Sequence, residues 1–204
     1  MGWDTLANDE EIKRTSEALI SHGINVEVAS NKDAAIKLLE KLIPEGAEVM
    51  TASSTTLSQI GFLDMLKSVK HGWHDKKQLI ISEQDTAKRT ELRKHAGIAA
   101  YFLGSVHAVT ETGEILTASA SGSQLGAYAF TADNLILVVG TQKIVKSLDD
   151  GFKRIKEESL RLEDKRMKDA GYQGSFIGEI LITERIMPGT RKVTVILVKE
   201  KLGF

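Results

Sequence analysis

The chain has 204 residues, 42% of them apolar, 27% charged and 5% aromatic, and its 27 lysines and arginines against 28 acids leave a net charge of −1. That balance argues against broad electrostatic capture of nucleic acid or of an anionic membrane. The absence of cysteine excludes disulfides, thiolate-ligated zinc or iron–sulfur clusters and a cysteine nucleophile, and two prolines leave no Pro-rich linker.

No run of about 18 apolar residues occurs, and the opening MGWDTLANDEEIKR has no apolar signal core. A cytoplasmic protein without membrane insertion is expected. In chain order, the first element is a helix capped by Asn8, with Glu11 completing a capping box and Gly23 ending it. Ile12, Leu19 and Ile20 give it a partly apolar stripe. A strand over 24–29 follows, with Ile24, Val26 and Val28 on one side. Ser30 and Asp33 predict a second capping box, for a helix bearing Ala35, Leu38, Leu39, Leu42 and Ile43 and closed by Pro44.

A strand over 47–51 runs into Ala52-Ser53-Ser54-Thr55-Thr56. A helix through Leu57 and Ile60 follows, broken at Gly61 and resumed over 62–69. Leu79-Ile80-Ile81 reads as a third strand, and 83–95 as a solvated helix. This alternation predicts an α/β fold with a mainly parallel sheet flanked by helices.

Farther along, apolar pieces at 101–103 and 106–110 are separated by Gly104-Ser105. Glu111-Thr112-Gly113-Glu114 has the composition of a hairpin turn, with Gly113 free to take a positive φ. A strand over 115–118 enters Ser119-Ala120-Ser121-Gly122-Ser123, and a small-residue helix over 124–132 follows. Five consecutive apolar residues at 135–139 predict a strand covered on both faces. Two helices near 149–160 and 162–170 and two strands at 177–183 and 193–198 complete the pattern. No repeat or linker divides it, so one domain over 1–204 is expected.

The strongest chemical signal is a pair of hydroxyl-rich strand-to-helix turns. Ser53, Ser54, Thr55 and Thr56 form one; Ser121, Gly122, Ser123 and Gln124 form the other. In parallel α/β sheets such turns lie at the carboxyl ends of strands, where ligands bind. Small hydroxyl residues let an anion approach and add donors, although serine and threonine also serve simply as helix caps. Lys143, after the most apolar strand, is placed to reach a bound anion. His107 is a candidate for orienting a substrate or exchanging a proton, with a hydrogen-bonded strand-end histidine as the alternative. His71-Gly72-Trp73-His74 has two histidines three apart, but Gly72 spoils a helix and no third ligand is evident, so a surface loop rather than a metal site is expected. Gly171-Tyr172-Gln173-Gly174-Ser175 reads as a loop able to act as a lid.

FLGSVHAVTETGEILTASASGSQLGAYAF at 102–130 resembles the LUD (lactate utilisation) domain family, once described as a domain of unknown function. So do VMTASSTTLSQIGF at 49–62, VVGTQKIV at 138–145, LEDKRM at 162–167 and LVKEKLGF at 197–204. The resemblance covers about residues 12–204. It implies a fold like ribose-5-phosphate isomerase, glucosamine-6-phosphate deaminase and the CoA transferases, with a smaller irregular or antiparallel portion beside the main sheet. For some members it also implies a role beside iron–sulfur and oxidase-like partners in oxidising lactate to pyruvate.

The isomerases' acidic pair has no counterpart at Gly104-Ser105-Val106-His107, and Ala118-Ser119 stand where their lysine would be. Sugar-phosphate isomerisation is therefore not expected. Glu111 is the nearest candidate for the nucleophilic glutamate of a CoA transferase.

The resulting expectation is a lactate-utilisation-type protein of organic-acid metabolism that binds a small anion at the two turns and has no redox centre or resident cofactor of its own. His107 and Glu111 are its candidate catalytic residues. The alternatives are a non-catalytic assembly or ligand-sensing subunit of a redox complex, and a CoA- or acyl-transferring enzyme using Glu111. Candidate partners are a small anionic metabolite, iron–sulfur or oxidase subunits and a second copy of the chain as a homodimer, with no nucleic acid.

Overall fold

Two apolar faces along one strand organise the fold. In the computed structural model, which describes residues 2–68 and 71–204, the strand Asn134–Gly140 (β7) sends Leu135, Leu137 and Val139 into one core and Ile136 and Val138 into another. Side chains alternate across a strand, so a continuous apolar run must be covered on both faces. Full burial of each such side chain is worth about 1.5–3 kcal/mol.

In chain order the elements leading to β7 begin with α1 (Asp9–Ser21), β1 (Asn25–Ala29), α2 (Lys32–Leu42) and β2 (Glu48–Thr51). Next come α3 (Thr55–Gln59), α4 (Phe62–Lys67), β3 (His74–Asp75), α5 (Lys76–Ser82) and α6 (Thr86–Ala96). Then follow β4 (Tyr101–Gly104), β5 (Ala108–Thr110) and β6 (Ile115–Ser119). Beyond β7 lie β8 (Ile144–Val145), α7 (Leu148–Arg154), α8 (Leu160–Asp169), β9 (Glu179–Thr183) and β10 (Lys192–Val198). Six strands form a parallel sheet in the order β1-β10-β7-β4-β2-β3. A second sheet, β8-β5-β6-β9, is mixed: β6 runs antiparallel to β5 and β9, while β8 is parallel to β5. The chain thus has the expected mainly parallel α/β sheet with a smaller hairpin portion.

Helix α1 packs Ile12 and Leu19 on one face of the main sheet, and α2 packs Ala35 and Leu39 on the other. The capping box at Asn8 and Glu11 is formed in both directions, and Gly23 takes a φ of +79°. Gly113 turns the hairpin at a φ of +100°. α7 lies on the small sheet, where Ala108, Leu116, Val145 and Ile155 make a third apolar cluster. No described helix is long and apolar enough to cross a membrane.

Several local expectations are corrected. The cap of α2 is Asn31, which accepts from the Ala34 amide at 2.9 Å, rather than Ser30. Val28 is exposed because β1 is an edge strand. Leu79-Ile80-Ile81 is helical, within α5. Asp75 caps that helix by accepting from Lys77, and only Ile80 of the three is buried, while Leu79 and Ile81 are each 61% exposed. The sheet edge that a strand there would fill is taken by the two-residue β3.

The expected helix over 124–132 is mostly one π-helical turn, Ala127–Thr131. The two expected late helices are one continuous helical rod. A π turn at Ile155–Ser159 joins α7 to α8. The helix after Gly61 is seen as α4, and Val69, its expected last residue, lies outside the described residues.

The burial pattern of α5 sets a measurable contrast in urea unfolding. Ile80→Ala should cost about 2–5 kcal/mol, whereas Leu79→Ala should stay within about 0.5 kcal/mol. Equal losses at the two positions would contradict the placement of this helix.

Candidate functional site

The parallel sheet brings the carboxyl ends of β2, β4 and β7 side by side, and the chain leaves each in a short turn. Beyond β2 come Ser53, Ser54, Thr55 and Thr56. Beyond β4 come Ser105, Val106 and His107. Beyond β7, a 3-10 turn, Thr141–Lys143, points the lysine back across the sheet end. From the small sheet, β6 ends at Ser119 and leads into Ser121, Gly122, Ser123 and Gln124. These segments enclose a cavity of about 820 Å³. Ser53, Ser54, Thr55, Thr56, Ser121, Ser123, Gln124, Lys143 and His107 all line it.

Gly122 is in the second turn but does not line the cavity. It holds a φ of +67°, and its amide donates to Ser119 Oγ at 3.0 Å. Ser54 keeps a capping role as well, accepting from the Leu57 amide at 3.2 Å. Glu111 is elsewhere: its carboxylate pairs with the Arg14 guanidinium of α1 at 2.9 Å, and it is not part of the cavity wall. His71 is held in its loop by contacts to the Leu66 carbonyl and the Trp73 amide and stacks on the Trp73 ring. Among the described residues no group of acids and histidines is placed to hold a metal ion.

Lys143 is 1% exposed. Its Nζ lies 3.0 Å from Ser105 Oγ, 3.2 Å from Thr56 Oγ1 and 3.0 Å from the Val106 carbonyl. No carboxylate pairs with it among the described residues. Burial, reinforced by the positive charge of Arg154, holds its pKa well below the ordinary lysine value.

Arg154, on α7, is buried to the same degree. Its Nη1 donates to the His107 carbonyl and to Ser159 Oγ within the π turn. Burial pushes its pKa down to about 10. Its Nε has no protein partner among the described residues.

His107 faces the cavity in one defined tautomer. Its Nδ1 accepts from the Ala118 amide at 3.0 Å, so the proton is on Nε2. Burial, followed by the charge Lys143 carries when protonated and that of Arg154, lowers its pKa to about 3. A neutral imidazole with a free N–H is a hydrogen-bond donor toward the cavity and a poor proton acceptor from it. The expectation of proton exchange at this residue thus narrows to donation from Nε2.

The lining carries four basic side chains, Lys77, Arg93, Lys143 and Arg166, against one acidic side chain, Glu163, which is engaged by Arg166 at 2.7 Å. Lys77 Nζ reaches the Ala52 carbonyl at 3.4 Å, and burial lowers its pKa. Ser175, the last residue of the glycine-bearing loop, and Phe176 after it also border the space.

Sequence reasoning missed Ser105, Arg154, Tyr128, Lys77 and Arg93. Two of these left a trace. Gly104 stands before Ser105 because a Cβ there would overlap the Tyr128 hydroxyl, which donates to the Ser105 carbonyl at 2.9 Å. Arg154 interrupts the buried face that carries Gly151 and Ile155.

The profile of the LUD domain matches residues 12–198 of the chain. Among solved structures, a DUF162 family protein from Deinococcus radiodurans is similar in fold, with a TM-score of 0.56 and 14% identity over 95% of this chain and 99% of that one. No curated protein matches the sequence.

The imidazole chemistry can be read directly. Long-range ¹⁵N–¹H spectra should show His107 protonated at Nε2 alone and unchanged down to about pH 4. A titration near the ordinary value of about 6.5 would contradict the site as described. The linked stability follows in sign. Unfolded His107 binds a proton below about pH 6.5 and the folded residue does not until about 3, so its contribution is complete above 6.5 and is lost as the pH falls toward 3.

Proposed function

The chain belongs to the LUD domain family, which ties it to lactate utilisation at the level of the family, and from that premise we propose that its cavity binds a small organic anion of the hydroxy- or keto-acid class. The observation that carries this reading is the lining. Hydroxyls from two turns and basic side chains from four elements converge at the carboxyl ends of β2, β4 and β7 and beside the end of β6, and the only acidic side chain among the described lining residues, Glu163, is already paired. A small acid brings negative charge to the basic groups that Glu163 leaves unpaired.

In this reading Ser53, Ser54, Thr55 and Thr56 face Ser121, Ser123 and Gln124 across the anion and supply donors from both sides. His107 donates from Nε2 to a carbonyl or hydroxyl oxygen of the same molecule. Arg93 and Lys77 supply charge from the α5–α6 side. Lys143 takes up a proton as the anion arrives, because a neighbouring negative charge favours the ammonium form. With no cysteine the chain supplies no thiolate ligand to an iron–sulfur cluster, so any thiolate-held cluster used to oxidise a hydroxy acid would belong to another protein. The role assigned here is to bind and orient the acid.

Isothermal calorimetry and melting curves with lactate, pyruvate and inorganic phosphate test the proposal. A saturable stabilisation by lactate or pyruvate is expected, reaching about 2.7 kcal/mol at a hundredfold excess over Kd. Arg93→Ala and Lys143→Met should each weaken binding by about tenfold or more, the scale of one charge-assisted contact. Absence of any shift with all three anions, or affinity unchanged in both variants, would overturn it.

A further inference from the structure

In the cavity a serine hydroxyl lies against a buried amine. Ser105 Oγ lies 3.0 Å from Lys143 Nζ, and both residues line the cavity. The other neighbours of the amine define its role. The Val106 carbonyl can only accept, so it takes one N–H at 3.0 Å, and Thr56 Oγ1 at 3.2 Å takes a second. A neutral amine then has its lone pair for the Ser105 O–H. The surroundings favour the neutral form: no carboxylate pairs with the amine among the described residues, and a buried guanidinium is its charged neighbour.

Ser105 is fixed from both sides. Its carbonyl accepts from Tyr128, and its hydroxyl oxygen accepts from Thr56 at 3.1 Å. A nucleophile within hydrogen-bond reach of a base, itself oriented by further groups, is the arrangement that activates a serine, and lysine serves as that base in known variants.

We propose that Ser105 and Lys143 form a nucleophile–base dyad, and that the cavity accepts the acyl group of an ester or thioester and passes it through an acyl-Ser105 intermediate. As the Oγ–C bond forms, the Ser105 proton moves to Lys143 Nζ, and the developing negative charge on the carbonyl oxygen meets the His107 Nε2–H. Collapse breaks the C–O or C–S bond, and the leaving alcohol or thiol takes the proton from Nζ. Water, deprotonated by the same amine, then attacks the acyl-serine. It releases the carboxylic acid and restores the Ser105 hydroxyl, so one ester or thioester and one water give one acid and one alcohol or thiol. The dyad shares its cavity with the bound anion but does not depend on it.

Intact-mass spectrometry with peptide mapping tests the dyad in the whole chain, using a fluorophosphonate, p-nitrophenyl acetate and acetyl-CoA as probes. The expected result is a single adduct on Ser105 with the fluorophosphonate and with at least one acyl donor. It should be absent in Ser105→Ala and formed at least about 100-fold more slowly in Lys143→Met. The ester and thioester arms identify the leaving group.

A second measurement uses the cysteine-free background. In Ser105→Cys the single thiol should alkylate with a pH midpoint below the ordinary value of about 8.5, and adding Lys143→Met should move that midpoint up. An adduct on another residue, no adduct with any probe, or equal rates with and without Lys143 would overturn the dyad. Lactate and pyruvate binding by calorimetry would then stand or fall separately.

Discussion

Everything at the cavity depends on one burial: the Lys143 amine, carried to the end of the main sheet with two hydroxyls and a carbonyl as its only close polar partners among the described residues. Moving an ammonium out of water without a counter-charge is among the more expensive things a fold can do, and an amine so placed has its pKa lowered. The neighbouring groups reflect that. His107 presents its N–H rather than a lone pair to the cavity, and Arg154 is turned away to hold the His107 carbonyl and Ser159. The site is poised to receive negative charge because Glu163, its one acidic side chain among the described lining residues, is held by Arg166.

The architecture explains how this is held. β4 and β7 are adjacent and in register, so the residues that leave them, Ser105 and Lys143, meet without any long side-chain excursion. The small sheet contributes in two ways. β6 delivers the second hydroxyl-rich turn. α7, packed on that sheet, brings Arg154 beneath the His107 segment, and the π turn after it sets Ser159 against the guanidinium. Single π turns inside helices concentrate at functional sites because the extra residue redirects a side chain. Here the side chain that benefits is a buried arginine. The chain's last residues also close on the site: Gln142 pairs with the Leu202 backbone, and Phe204 borders the cavity.

The parts of the fold readable from sequence were those with a local physical cause. The run at 135–139 is apolar on both alternating faces and could only be a covered strand, and Asn8 with Glu11 marks a helix start by reciprocal bonds within four residues. Leu79-Ile80-Ile81 misled because three apolar residues carry the same short-range signal in a strand and in a helix, and the distinction rests on Asp75 capping and on β3 occupying the edge. At the cavity, the two Ser/Thr turns and Lys143 were visible because they follow recognisable strands. Ser105 and Arg154 were not. The importance of Ser105 arises from an amine 38 positions away, and that of Arg154 from a carbonyl 47 positions away, separations no periodicity encodes.

Burial disfavours the charged form of the Lys143 amine, and a bound anion would favour it. Titration of the Lys143 side chain by ¹³C NMR of labelled lysine, with and without lactate, measures this directly. A midpoint well below the ordinary lysine value of about 10.4 is expected in the free protein, moving upward when lactate is added. A midpoint at the ordinary value in both samples would contradict it.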